Sequence, residues 1–110
     1  MANWLDDAAF HAGQLSDAEL RDKGVSMSQQ CTDFCTQMML HTSSVSHTIA
    51  TRYRDWMVRC QVINFQLRHD FQHARKDVWS MIVELRHLVF EHIPRCNEEL
   101  DVIVREKLEQ

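Results

Sequence analysis

His69, His73 and Asp77 stand four residues apart in a stretch that holds neither Gly nor Pro. Residues at that spacing share one face of a helix, so two imidazoles and a carboxylate could converge on Zn²⁺ or another divalent cation. Asp70 lies beside them. Two features count against a metal. The face lies away from the apolar positions Leu67, Phe71 and Ala74, so it should be solvated, and Arg68, Arg75 and Lys76 crowd it with positive charge. The plainer expectation is a wet helix face carrying His–Asp pairs. The reading therefore assigns no metal and no cofactor, and keeps His69, His73 and Asp77 as the alternative ligands.

Cys31 and Cys35 repeat the same spacing. Such a pair can ligate a metal or form a redox pair, but a structural zinc site takes four ligands and a second pair is missing. The single CX3C segment resembles one half of the paired segments of the small mitochondrial Tim chaperones, and the other half is missing here. Cys31 and Cys35 are expected to be small core residues beside Phe34 and Met38. Cys60 falls on an apolar seam, and Cys96 stands singly and is expected to be exposed. Seven His is a high number for 110 residues. Protonating them near pH 6 would reverse the net charge of −4, which would suit a pH-sensitive assembly as well as ordinary polar filling.

No nucleophile constellation presents itself. The Ser residues fall in cap and turn positions without a glycine elbow, and both glycines precede residue 25, so no phosphate loop can form. The chain is not expected to be an enzyme. Seven bases line residues 51–93, but five acids interrupt them. Asp55–Arg59 and Glu91–Arg95 are helical ion-pair spacings. Interleaved charge of this kind suits a salt-bridged helix surface better than a nucleic-acid interface, which stays a further alternative.

The elements that must position these residues are helical. The composition is 45% hydrophobic and 25% charged, with only 2 Gly and 1 Pro, too few turn residues for many short strands. One stretch, about 45–93, organises the rest. Along it Tyr53, Trp56, Cys60, Ile63, Leu67 and Phe71 follow one another in steps of three or four, and Val78, Met81, Leu85 and Leu88 continue the stripe. As one helix it would span roughly 70 Å, against a radius of gyration of about 13 Å for a compact domain of this length. The expected fold is an all-α helical bundle, one domain over 1–110, built around this long amphipathic helix and completed by oligomerisation. The polar run Arg68–Asp70 is where such a helix would break.

The flanking elements carry their own signals. Trp4, Leu5 and Ala8 give one face to a short helix over 3–12, and Gly13 would end it. Ser16 with Glu19 makes a capping box, Leu15 and Leu20 a hydrophobic staple, and Gly24 a left-handed stop. The eleven residues LSDAELRDKGV resemble the short helix-and-glycine turns of several helical families, including sterile-alpha-motif domains. Residues 1–24 thus read as an N-terminal arm of short helices. A helix over 26–41 follows, started by Ser26 with Gln29. The Ser- and Thr-rich run 41–48 reads as a turn, with Ser43 or Ser44 capping the next helix. Ile93-Pro94 should end the long helix and open a last one over 94–109.

These features predict a non-catalytic protein–protein interaction module: an adaptor, small chaperone or structural subunit. Its partner would be itself, as a homodimer or larger assembly, or another helical protein. The expected interface is Trp56, Ile63, Leu67, Phe71, Val78, Met81, Leu85 and Leu88, so that Asp at Leu67 or Leu85 would dissolve the oligomer. The alternative is a metal-binding or redox bundle using His69, His73 and Asp77 or Cys31 and Cys35. No run approaches the roughly 18 apolar residues of a membrane span. The opening MANWLDDAAF has neither a basic nor an apolar leader region, and four Cys suit reduced thiols, so a cytoplasmic location is expected.

Overall fold

In the computed structural model, residues 15–69 and 75–109 are described, with side chains for 15–69 and 77–109. The expected arm helix over 3–12, with Trp4, Leu5 and Ala8, lies outside the described residues, as do Asp70, Phe71, His73 and Ala74.

The fold is all-α. Helix α1 is Asp17–Thr42, α2 is His47–His69 and α3 is Arg75–His87; a π turn, Leu88–His92, then leads into α4, Ile93–Glu109. Because α3, the π turn and α4 run on without interruption, the described chain makes three rods. At about 1.5 Å per residue the third spans roughly 52 Å, close to the 54 Å long axis of the molecule.

The start of α1 follows the sequence signals. Ser16 has extended φ/ψ, and its Oγ accepts the Glu19 N–H at 3.1 Å and donates to Glu19 Oε1 at 3.0 Å. Leu20 is buried and Leu15 packs on the same core, as the staple requires. The end of this helix departs from expectation. Gly24 does not stop it; α1 continues to Thr42, and no described glycine has a positive φ. Gly24 serves close approach instead. A Cβ there would lie 2.8 Å from Leu67 Cδ1 and 3.6 Å from Ile82 Cγ1. The second cap at Ser26 is likewise absent. Ser26 Oγ accepts from Gln30 Nε2 at 3.2 Å in mid-helix.

The many Ser and Thr side chains of α1 are satisfied on its own backbone. Ser28 Oγ donates to Val25 O at 3.0 Å, Thr32 Oγ1 to Ser28 O at 2.7 Å and Thr42 Oγ1 to Met38 O at 2.7 Å. All three residues are buried, so these bonds remove the cost of an unpaired hydroxyl. The predicted turn forms over 43–46. Ser46, not Ser43 or Ser44, caps α2, its Oγ accepting the Ile49 N–H at 3.2 Å.

The single helix over 45–93 does not form. α2 ends at His69, α3 begins at Arg75, and the second half runs back along the first. Arg59 Nε donates to Glu84 Oε2 at 2.8 Å, and further along Arg52 bonds Glu99. The physical reason is burial. A straight helix of that length would leave much of its stripe in water, whereas reversal lets Ile63 and Leu67 share one core with Val78, Ile82 and Leu85. The last helix boundary also moves. Ile93 precedes Pro94 but is helical, at φ −65° and ψ −48°. Proline in a helix lacks the N–H and crowds the carbonyl four residues back. The π turn just before it takes up the difference, with the Ile93 N–H donating to Leu88 O, five residues back.

Substitutions at Gly24 test the close approach. In Gly24→Ala, a propensity gain of about 1 kcal/mol opposes a methyl pressed on Leu67, and urea unfolding should move by less than about 1 kcal/mol. Gly24→Leu should lower stability by about 1–3 kcal/mol or more through overpacking. A stable leucine variant would mean that the three rods do not meet there.

Candidate interaction surface

The interior is chemically mixed. Cys31 and Cys35 of α1, Cys60 of α2 and Cys96 of α4 are all buried and unbridged. The expected exposure of Cys96 is therefore corrected: the rod that carries it packs back on α2, and the residue is 2% exposed. Cys31 accepts hydrogen bonds from Cys35 and Cys60, which lower its pKa, while burial opposes them. The donors go the other way. Cys35 and Cys60 are raised because each gives its proton to Cys31 and is desolvated. Among the described residues no group of three or more His, Cys, Asp or Glu is arranged to hold a metal ion.

Tyr53 crosses the same layer. Its ring is fully buried, edge-on to Trp56 at 5.6 Å and to Phe34 at 6.4 Å, and its hydroxyl donates to Asn97 Oδ1. Burial first, then the nearby Cys96, raises the phenol above its ordinary range. A second polar tie joins α1 to α2. Asn64 Nδ2 donates to Ser28 Oγ at 2.9 Å and to Val25 O at 3.1 Å.

The expected interface residues are largely this same core. Ile63, Leu67, Val78, Leu85 and Leu88 are buried within the chain, while Trp56 and Met81 are half-buried. The five buried side chains are not open to a second chain in this fold. Trp56 stacks on His92 at 6.2 Å and, with Val83 and Arg59, lines an open groove of about 460 Å³ between α2 and α3. Of the alternative metal ligands, His69 and Asp77 are exposed on α2 and α3.

Exposed apolar side chains lie elsewhere: Leu40 on α1, Phe90 in the π turn, Val102, Val104 and Leu108 on α4, and a row on α2. Val58, Val62 and Phe65 are 48%, 40% and 64% exposed. Val62 follows Cys60 by two residues, so it points away from the core. Phe65 and His69 touch at 4.7 Å between ring centroids. Asp55, Val58, Val62, Phe65 and His69 step by three and four along the outside of α2. Val62 and Phe65 are not among the expected interface residues. The step pattern beginning at Asp55, a second row parallel to the first, is the sequence signal that marks them.

Several charged groups pair locally, Arg54 with its neighbour Asp55 among them. Arg52–Glu99, Arg59–Glu84 and His87–Glu91 pair across or along the surface at half-exposed positions, where such pairs contribute about 0–1 kcal/mol each. No described helix is long and apolar enough to cross a membrane. Comparison with known proteins finds no matching family model, no matching curated protein and no matching solved structure.

Two outcomes follow from the interior. Leu85→Asp should unfold the chain, costing more than about 4 kcal/mol, because it buries a charge without a partner. A folded variant of unchanged stability would take Leu85 out of the core.

The second outcome concerns alkaline pH. A phenol raised in the folded state contributes stability that is fully present below its unfolded pKa of about 10 and lost above it. Cys35 and Cys60, raised by Cys31 first and then by burial, act alike from about pH 8.5. Urea midpoints should therefore fall as pH rises past these values. Tyr53→Phe should cost about 1 kcal/mol at neutral pH through the lost bond to Asn97, and should flatten the decline above pH 10. An unchanged alkaline slope in that variant would place the titration elsewhere.

Proposed function

We propose that the chain is a non-catalytic helical interaction module, an adaptor or structural subunit that engages another helix through the outer face of α2. The observation that carries this reading is the row Val58, Val62 and Phe65, three apolar side chains standing in water on a bundle whose core is already closed on the other side of the same helix. Contiguous apolar surface of this kind is a feature of protein contact sites. The row is narrow and straight, which fits a helix laid alongside better than a flat surface.

The interior supports the same reading. Its thiols and its phenol are buried in packed layers and tie rods together. Unbridged cysteines in the core also fit a reducing compartment such as the cytoplasm. The redox alternative rests on one specific observation, the contact of Cys31 with Cys35 and Cys60. Full burial counts against it, because buried structural thiols react slowly.

Photo-crosslinking tests the interaction reading. A benzophenone amino acid at Phe65, in cells that express the chain, should give a covalent adduct with another polypeptide, either a second copy or a different protein. The same probe at Asp33, exposed on α1, is the control. No adduct from Phe65 above the Asp33 background would overturn the reading.

A further inference from the structure

We propose that Cys31 of α1 and Cys60 of α2 form an oxidation site, at which a hydroperoxide converts two buried thiols into a disulfide that ties α1 to α2. This goes beyond the interaction reading and does not depend on what binds the outer face of α2. The four cysteines come from three rods, and all are buried in one core. The packing of α1 on α2 decides which of them meet. Gly24 lies against Leu67, and Asn64 Nδ2 donates to Ser28 Oγ at 2.9 Å. Partner numbers fall along α2 as they rise along α1, so the two helices run antiparallel. The next turn sets Cys31, three residues on from Ser28, opposite Cys60, four residues back from Asn64. Both are 0% exposed, and the Cys60 thiol donates to the Cys31 sulfur.

Cys35 also meets Cys31, but the two share one helix. Residues four apart on an unbroken α-helix hold their Cβ atoms about 5–6 Å apart, whereas a disulfide needs roughly 3.5–4.5 Å. Closing that pair would distort α1, which is helical from Asp17 to Thr42. The pair on facing helices escapes this limit, because two packed rods can shift toward each other without losing their own hydrogen bonds. Cys31 accepts from both neighbours, so it has the most thiolate character of the three and reacts first. Cys60, already in contact, is the resolving thiol.

The Cys31 sulfur attacks one oxygen of hydrogen peroxide. An S–O bond forms, the O–O bond breaks, and the leaving hydroxide takes the Cys31 proton as water. The Cys60 sulfur then attacks the Cys31 sulfur. The S–S bond forms, the S–O bond breaks, and the hydroxide leaves with the Cys60 proton as a second water. Two thiols are oxidised and one peroxide is reduced. Burial selects both reagent and product. Hydrogen peroxide is close to water in size and enters through brief local openings, which larger disulfide oxidants cannot use. Contact with Cys60 captures the sulfenic acid before a second peroxide reaches it. The reaction is slow, as for other buried thiols, so this is a site of modification and not of catalysis.

The full chain, reduced and freed of reductant, is treated with about one equivalent of hydrogen peroxide, then unfolded, alkylated and mapped by trypsin without reduction. Cleavage after Lys23, Arg52, Arg59 and Arg68 separates Cys60 from the peptide that holds Cys31 and Cys35. The map should show these two peptides linked, with fragmentation placing the bond at Cys31 and leaving Cys35 and Cys96 alkylated. Cys35→Ala and Cys96→Ala should keep the cross-link, and Cys31→Ala should abolish it. If a variant fails to fold, the map of the unaltered chain decides alone. The same treatment in urea should give mixed pairs, because the register set by Ser28 and Asn64 is gone. Four results would overturn the proposal: thiols that stay free in the folded chain while the unfolded chain oxidises, sulfinic or sulfonic acid at Cys31 without a cross-link, a bond from Cys31 to Cys35 or Cys96, or the same mixture with and without urea.

Discussion

A Cβ at Gly24 would press on Leu67 and meet Ile82 at contact distance, one residue from each of the other two rods. The three-rod arrangement depends on this contact. Helix axes usually stand 8–10 Å apart, at a distance set by the side chains between them. Removing one side chain lets α1 come in close where α2 hands over to α3, the region in which the chain reverses. Leu67 and Ile82 are nearly fully buried as a result. Because α1 covers both halves of the stripe at once, the stripe is satisfied inside one chain. An extended helix of the same sequence would have had no such cover.

Further from the reversal the rods are joined by a different chemistry. Asn64 reaches across to Ser28, Tyr53 reaches across to Asn97, and the thiols of Cys31, Cys35 and Cys60 meet between α1 and α2. Each is a small polar group that is costly to bury alone and harmless when paired. Purely apolar rods can slide past one another by a turn with little loss. A rod that must match Asn64 to Ser28 and Tyr53 to Asn97 cannot. These pairs fix register, while the leucines and isoleucines supply most of the burial. The π turn belongs to the same scheme. It admits Pro94 without ending the helix, so α4 continues in line and carries Asn97 and Cys96 to their partners.

The sequence was informative where the physics is local or periodic. The all-helical class, the cap at Ser16, the staple of Leu15 with Leu20 and the turn over 43–46 all follow from neighbouring residues, and each is present. So does the apolar stripe of Ile63, Leu67, Val78, Leu85 and Leu88, whose members are all buried. What the stripe packs against was not legible. Periodicity says that a face must be covered and is silent on whether the cover comes from the same chain. The reversal between α2 and α3 was readable only as a weak point at the polar run Arg68–Asp70. Gly24 misled for a related reason: a glycine after a capped helix is a common stop, and only tertiary contact distinguishes a stop from a close approach. Cys96 looked isolated because its neighbours, Cys35 and Tyr53, come from other rods.

The outer face of α2 is where these two kinds of information meet. A helix in the middle of a three-rod bundle needs one apolar face, and the Tyr53, Cys60, Ile63 and Leu67 side of α2 already provides it. The row of Val58, Val62 and Phe65 adds nothing to that core. Valine is a poorer helix former than alanine or lysine, and exposed phenylalanine lowers solubility, so the folded bundle alone gives no reason for them. Their spacing is helical, and they lie on the side of α2 turned away from the core. A single helix thus carries two apolar faces of different width, one closed by the core and one left in solvent.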